Sequence, residues 1–337
     1  MRISVSLLIC FIFGFVACSR KDELPAPELS LIQIPKGFPE LPESILNGLN
    51  DERIALGKRL FYDVRLSVDN SISCGSCHRA DQAFAENVDL SSGVSGRKGF
   101  RNAQALFNLA WKPHFFRDGG VDLLKLAALN PIQNRDEMGS SINAVVAKLQ
   151  TDAAYASKFK LAYSDTVSAT HILHALTCFQ ASLISGNSRY DQWKNGSVEA
   201  LSAAELRGKD LFFSERSNCS SCHAGFNFDS PDFKCNGFFE SYPDSGRQRI
   251  TMKISDKGFF AVPSLRNAAL TAPYMHNGSV ATLEEVVQRY VQGGSGFLNQ
   301  DPRIKPLDLS AAEVSDLVAF LHSLSDATFI NNTHHKP

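Results

Sequence analysis

The chain has 337 residues, 44% of them hydrophobic, and a net charge of −1, which fits two modest globular domains. Basic residues do not outnumber acidic ones, and this argues against nucleic acid as a partner.

At the N-terminus Arg2 precedes the apolar run ISVSLLICFIFGFVA, which ends at Ala17 before Cys18. The run is too short and too early for a spanning helix and reads as an export signal over residues 1–17. The sequence FVACSR resembles a bacterial lipobox, in which Cys18 becomes the lipidated first residue. An ordinary signal peptide cut nearby is the alternative. Residues 18–44 are charged and then Pro-rich, which suits an extended tether. The expected location is the periplasm, or the outer membrane or cell surface as a lipoprotein, with the lipid as the only membrane anchor. An exported chain meets an oxidising compartment.

Next comes LGKRLFYDVRLSVDNSISCGSCH, which ends in Cys74, Cys77 and His78. The pattern returns in RGKDLFFSERSNCSSCH, which ends in Cys219, Cys222 and His223. A Cys-x-x-Cys pair serves as a redox dithiol, as half of a zinc site, or as a haem attachment point. Zinc needs two such pairs on one metal, and a thioredoxin-like dithiol needs a βαβ context that the helical flanks do not offer. The histidine that directly follows the second cysteine decides for haem. Both sulfurs form thioethers to the vinyl groups while the next residue turns its imidazole under the iron. The expectation is two covalent haem c groups, one on Cys74, Cys77 and His78 and one on Cys219, Cys222 and His223.

Each motif follows Gly-Lys-x-Leu-Phe, so each half reads as a helix, a loop and a haem turn. The division is a first haem domain over residues 45–195 and a second over residues 196–337. Ser202 with Glu205, and Ser310 with Glu313, stand at capping-box spacing. Val314, Leu317, Val318, Leu321 and Leu324 then recur at helical spacing and predict a terminal amphipathic helix. No alternating strand pattern of any length is present, so the fold class is mainly α, with two cytochrome c-like domains. Of the eight cysteines, Cys10 and Cys18 belong to the signal and four hold haem. Cys178 and Cys235 are left to pair as a disulfide, or Cys178 is a buried thiol within HILHALTCFQASLI.

The stretch GVSGRKGFRNAQALFNLAWKPHFFRDGGVDLLKLAALNPIQNRDEMG, with the later VPSLRNAALTAPYMHNGSVATLEEVVQRYVQGG, resembles the bacterial dihaem cytochrome c peroxidase family, which includes MauG. The resemblance runs from about residue 50 to the end of the chain. It implies two haem domains packed face to face across a calcium ion, the first meeting peroxide and the second relaying electrons. Glu137 matches the family's distal acid–base glutamate, a role that suits the splitting of a peroxide bond, where one oxygen loses a proton and the other gains one. A solvated charge beside Asp136 is the plainer reading. Asn102, Thr271 and Pro273 match the calcium-contacting positions, the last two through backbone oxygens, which suit a hard cation; ordinary loop structure is their alternative. Two positions depart from the family. Arg117 stands where a tryptophan is usual between the haems, and Ala127 where a glutamine is usual. Trp111 is either a substitute electron relay or a core indole.

Family members that rest inactive carry a distal histidine in the loop after the first motif. Residues 79–113 contain neither His nor Met, so the first iron is expected to be ligated by His78 alone and to need no reductive activation. His114 is the nearest alternative, and beside Pro113 and Phe115 it reads as structural. For the second iron's distal ligand Met275, His276 and Tyr290 compete. A thioether raises the potential of a relay haem, but the family's ligand position falls on Tyr290, a Met in typical peroxidases and a Tyr in MauG. The leading function is reduction of hydrogen peroxide with electrons from a small cytochrome c or cupredoxin. The alternatives are a MauG-like oxidase that modifies side chains of a partner protein, and a dihaem electron carrier without catalysis. A homodimer is left open.

Overall fold

Two glycines of the Gly-Lys-x-Leu-Phe repeat set the architecture. A computed structural model describes residues 30–337, so the expected signal and the lipid-bearing Cys18 lie outside the described residues. In the first half the helix Asp51–Phe61 crosses the helix Ala169–Ser182 at Gly57, where an added Cβ would overlap the Ala175 carbonyl oxygen. In the second half the helix Ala203–Phe212 crosses the helix Ala311–Ser323 at Gly208, where an added Cβ would overlap the Asp316 carbonyl oxygen. Only a residue without a side chain lets two backbones approach so closely.

The Phe that ends each repeat sits beside its crossing. Phe61 meets Phe179 at 5.1 Å between ring centroids, and Phe212 meets Phe320 at 5.2 Å. These pairs anchor separate apolar cores, one around Leu60, Phe84 and Tyr155 and one around Phe228, Leu317 and Leu321. Both expected capping boxes form, Ser202 with Glu205 and Ser310 with Glu313, each satisfying backbone donors that a helix start leaves free. The terminal helix buries Val314, Leu317, Val318 and Leu321 as the spacing predicts. Strand among the described residues is confined to Phe233–Lys234, paired antiparallel with Phe260–Ala261. The fold is mainly helical.

The halves are joined through buried polar groups. Asn108 donates to the Ser185 carbonyl at 2.9 Å and to Asn227 Oδ1 at 3.0 Å. Asn267 donates to Ser185 Oγ at 2.9 Å, and its own Oδ1 accepts from the Asp326 amide at 2.8 Å. Each group is paired, which is what burial of amides demands. Two chain segments cross between halves in ways the sequence does not announce. Residues after the terminal helix return to the first core, where Phe329 is buried and His335 lies 4.9 Å from it and 6.1 Å from Phe84. The described part of the expected tether is irregular, but it is not free of the domains: Phe38 packs edge-on against Trp111 at 5.6 Å and Phe226 at 4.6 Å. Its apolar residues outweigh its prolines.

Candidate functional site

Each Cys-x-x-Cys-His run forms a single tight turn, Cys74–Cys77 as a short helix and Cys219–Ser221 as a 3₁₀ turn. The histidine after each turn is oriented by its own downstream loop. His78 Nδ1 meets the Phe84 carbonyl at 2.9 Å, and His223 Nδ1 meets the Phe228 carbonyl at 3.2 Å. A carbonyl that accepts a hydrogen bond from Nδ1–H fixes the tautomer and leaves the Nε2 lone pair for a metal, which is how a metal-ligating imidazole is held. Burial pushes both imidazoles below their ordinary pKa, so both are neutral. None of the four cysteines of the two turns is engaged in a disulfide. This donor set, two thiols on one turn with an oriented neutral imidazole, fits haem c at both places.

Cys178 and Cys235 are buried and unpaired. The Cys178 thiol donates to the Gly48 carbonyl at 3.5 Å. The disulfide alternative therefore gives way to the buried thiol.

Glu137 stands by the first turn. Its charge acts on the Cys74 and Cys77 thiols, and burial raises its own pKa despite a hydrogen bond from Asn134 Nδ2 at 2.7 Å. Asn134, the partner of Glu137 in the same loop, is not among the residues the sequence singles out. The loop is pinned by Gly93, where a Cβ would overlap the Asp136 carbonyl, and by the Val94 amide on the Glu137 carbonyl at 2.8 Å. Among the described residues, Glu86 Oε2 and Ser140 Oγ are buried without a hydrogen-bond partner. Glu86 acts electrostatically on Cys77 and His78, and Ser140 follows Glu137 closely in the chain, so both orphaned atoms lie on the first-turn side. His114 pairs with Asp122 at 2.8 Å and leans on Phe233, in keeping with a structural role.

The second turn has a different neighbour. Burial pushes the Tyr290 phenol, which lies near Cys219 and Cys222, up to about 12 against the help of a hydrogen bond with Asn236. The helix Leu283–Gln292 carries Tyr290, starts at the Thr282 cap and buries Leu283 and Val287. Asn236, also missed, donates to Met275 Sδ at 3.6 Å, so two of the three competing ligands share one amide. The third, His276, is stacked on Phe260 at 4.3 Å and 14°. Burial lowers the His276 pKa to about 4.

Of the residues expected at calcium, Asn102 is held by Arg117. Arg117 donates through Nη2 to Asn102 Oδ1 at 2.8 Å, and through Nε and Nη2 to the Asn102 carbonyl at 3.3 and 3.2 Å. Both oxygens that Asn102 could offer a metal already face a fixed positive charge, and a dication does not fit beside it. Thr271 and Pro273, the other two positions expected at calcium, lie in the loop before the Tyr274–Val280 turn. Trp111, half-buried, donates Nε1 to the Glu40 carbonyl at 3.0 Å and packs on Phe38 and Phe226.

Fold and paired turns together define a double c-type cytochrome in which one turn faces a carboxylate and the other a phenol. A family model for di-haem cytochrome c peroxidase matches residues 51–199, and one for cytochrome c matches residues 206–325. The chain is 34% identical over 291 residues to the methylamine utilization protein MauG of Methylorubrum extorquens, covering 84% of this chain and 82% of that protein. It is 34% identical over 281 residues to the cytochrome c551 peroxidase of Nitrosomonas europaea, covering 82% and 80%. A crystal structure of a MauG-like protein associated with microbial copper homeostasis superposes with a TM-score of 0.86 at 35% identity, over 90% of this chain and 97% of that one. The diheme peroxidase BthA of Burkholderia thailandensis shares the fold, with a TM-score of 0.72 at 24% identity over 83% and 87%. The chain belongs to the dihaem cytochrome c peroxidase family that includes MauG, and haem c is its cofactor.

Proposed function

We propose that the chain is an exported peroxidase that reduces hydrogen peroxide to water, two electrons and two protons per peroxide, with electrons from a small cytochrome c or cupredoxin. The single observation that carries this reading is Glu137, a buried carboxyl held by Asn134 beside the first turn. In the proposal Cys74 and Cys77 carry the first haem and His78 ligates it, Cys219, Cys222 and His223 do the same for the second, and Tyr290 is the second distal ligand. The domains divide near residue 195, the first peroxidatic and the second electron-relaying. When bound, haem iron supplies a Lewis acid and a redox centre for O–O cleavage. Glu137 takes the proton from one peroxide oxygen and returns it to the departing oxygen, and Asn134 keeps its carboxylate aimed. His78, fixed by the Phe84 carbonyl, would hold the first haem iron.

The segment over residues 79–113 holds no His or Met, which supports an open first site in the resting ferric protein. Export with lipidation at Cys18 belongs to the same proposal, and no helix among the described residues is long and apolar enough to cross a membrane. A homodimer is tested by sedimentation. A MauG-like oxidation of a partner protein is the second reading. Tyr290 favours it, since its position carries Tyr in MauG, while Arg117 in place of the tryptophan between the haems opposes it. Steady-state turnover of peroxide with a reduced cytochrome c or cupredoxin decides. Turnover of the as-isolated ferric protein without prior reduction supports the peroxidase. No turnover with either donor, or turnover only after one-electron reduction, overturns the open-site peroxidase.

A further inference from the structure

We propose that the Arg117 guanidinium is itself the cation that joins the two domains at Asn102, so that the protein works without calcium. Asn102 is gripped from both halves. Its two oxygens accept from Arg117 at 2.8 to 3.3 Å, and its backbone amide donates to the His276 carbonyl at 2.9 Å. The Asn102 Nδ2 group donates to the Val88 carbonyl at 3.0 Å, which fixes the amide so that Oδ1 points at Arg117. Arg117 is tied to the second half in turn, because its carbonyl accepts from the Ala261 amide at 2.7 Å.

The two residues that meet at Asn102 occupy the same place in a repeated turn. Arg117 lies between Phe115 and Val121, and His276 between Tyr274 and Val280; each turn is closed by an amide-to-carbonyl bond of 2.7 Å. Phe116 and Met275, just before them, share a left-handed backbone at φ 63° and 72°. The interface is therefore a meeting of equivalent turns, one supplying a guanidinium and the other a carbonyl.

Charge around the site is already accounted for. Arg101 takes Asp118 of its own half at 2.7 Å and Asp244 of the other half at 2.6 and 2.9 Å, so two carboxylates that could help hold a dication are already engaged. A calcium ion needs about six to eight oxygens, and the two on Asn102 are spoken for. A guanidinium suits this place because its planar fork reaches two oxygens of one residue at once. Burial and the neighbouring Arg101 lower the Arg117 pKa to about 10, so the group keeps its charge at neutral pH.

The test uses the purified holoprotein and needs no assay of peroxide. Metal analysis after gel filtration is expected to find calcium far below one ion per chain, and neither EGTA nor calcium chloride is expected to move the Tm. Arg117→Ala frees both Asn102 oxygens; it is expected to lower the Tm, and added calcium chloride is expected to raise it again. Arg117→Lys keeps a charge but not the fork and is expected to fall between parent and Ala variant, with no response to calcium. Stoichiometric calcium in the parent, or a Tm lowered by EGTA, overturns the proposal even where no variant folds. An Ala variant that folds and ignores calcium overturns the equivalence of guanidinium and metal.

Discussion

The two halves of the molecule are built alike down to single atoms, yet they differ at the position that faces each haem turn. Both cross their long helices at a glycine, both stack a phenylalanine pair near 5 Å beside the crossing, and both hold a histidine by Nδ1 on a phenylalanine carbonyl. Beyond that scaffold the first half sets a hydrogen-bonded carboxyl, Glu137, by its turn, and the second sets a phenol, Tyr290. A carboxyl can move protons, whereas a phenol that gave up its proton to solvent could hold a haem iron as phenolate, a ligand that would favour the oxidised metal. On the proposed reading, a duplicated fold divides one task into a reacting site and a relay through a few side chains.

The largest effect that would break this division is on proton transfer. Glu137→Gln keeps the shape and removes the base, so peroxide turnover is expected to fall by roughly 10²–10⁴ with haem content unchanged. Steady-state kinetics checks this, and unchanged turnover assigns the proton to another group. The pH profile sharpens the point. Burial raises the Glu137 pKa, so the acid limb, where the carboxylate takes a proton and turnover drops, is expected above the ~4.3 of a free glutamate. Glu137→Gln removes that limb.

The mirror experiment is on the relay side. Tyr290→Phe is expected to change the spectrum of the second haem, and Tyr290→Met to raise its potential by a sizeable part of the ~0.8 V range that axial ligands span. Met275→Leu is expected to leave both unaltered. Spectroelectrochemistry reads the outcome; a second haem that responds to Met275→Leu and ignores both Tyr290 variants reverses the assignment.

A third pair probes the likeness itself. Gly57→Ala and Gly208→Ala each force a methyl group into a facing carbonyl. Overpacking of this kind costs about 1–3 kcal/mol, and similar losses in thermal unfolding are expected from both. A loss confined to one half would show that only one crossing is tight.

Much of this was legible in the sequence, because its signals are local. The Cys-x-x-Cys-His turns, the Gly-Lys-x-Leu-Phe helices and both capping boxes are fixed by neighbours within a few residues. Glu137 was found through resemblance, but Asn134, which aims it, was not, since an amide in a loop carries no pattern of its own. The repeated turn at Phe115–Val121 and Tyr274–Val280 escaped because it is a likeness of backbone, with a left-handed residue at Phe116 and Met275, and little likeness of side chains. Arg117 was visible only as a missing tryptophan. Its partner Asn102 was visible only as an expected metal ligand, and nothing short of the fold brings the two together. The return of Phe329 and His335 to the first core is likewise a long-range contact that no local rule predicts.

The smallest expected effect concerns Trp111, and it asks whether the halves differ in electron transfer as well as in chemistry. Trp111 follows the left-handed Asn108 as Leu270 follows the left-handed Asn267, and both side chains pack partly buried against the first core. A leucine cannot relay electrons, so the matching position is occupied for its apolar bulk. The indole adds one hydrogen bond, to the Glu40 carbonyl at 3.0 Å, and edge contacts with Phe38 and Phe226. Trp111→Phe keeps most of the bulk and loses the bond, so it is expected to cost about 0.5–1.5 kcal/mol of stability and to leave peroxide turnover and the exchange of electrons between haems as they were. Denaturant unfolding reads the first quantity, and transient reduction of one haem followed at the other reads the second. Slowed exchange in a folded variant would make Trp111 the relay that Arg117 cannot be, and the two matching positions would then have diverged in function after all.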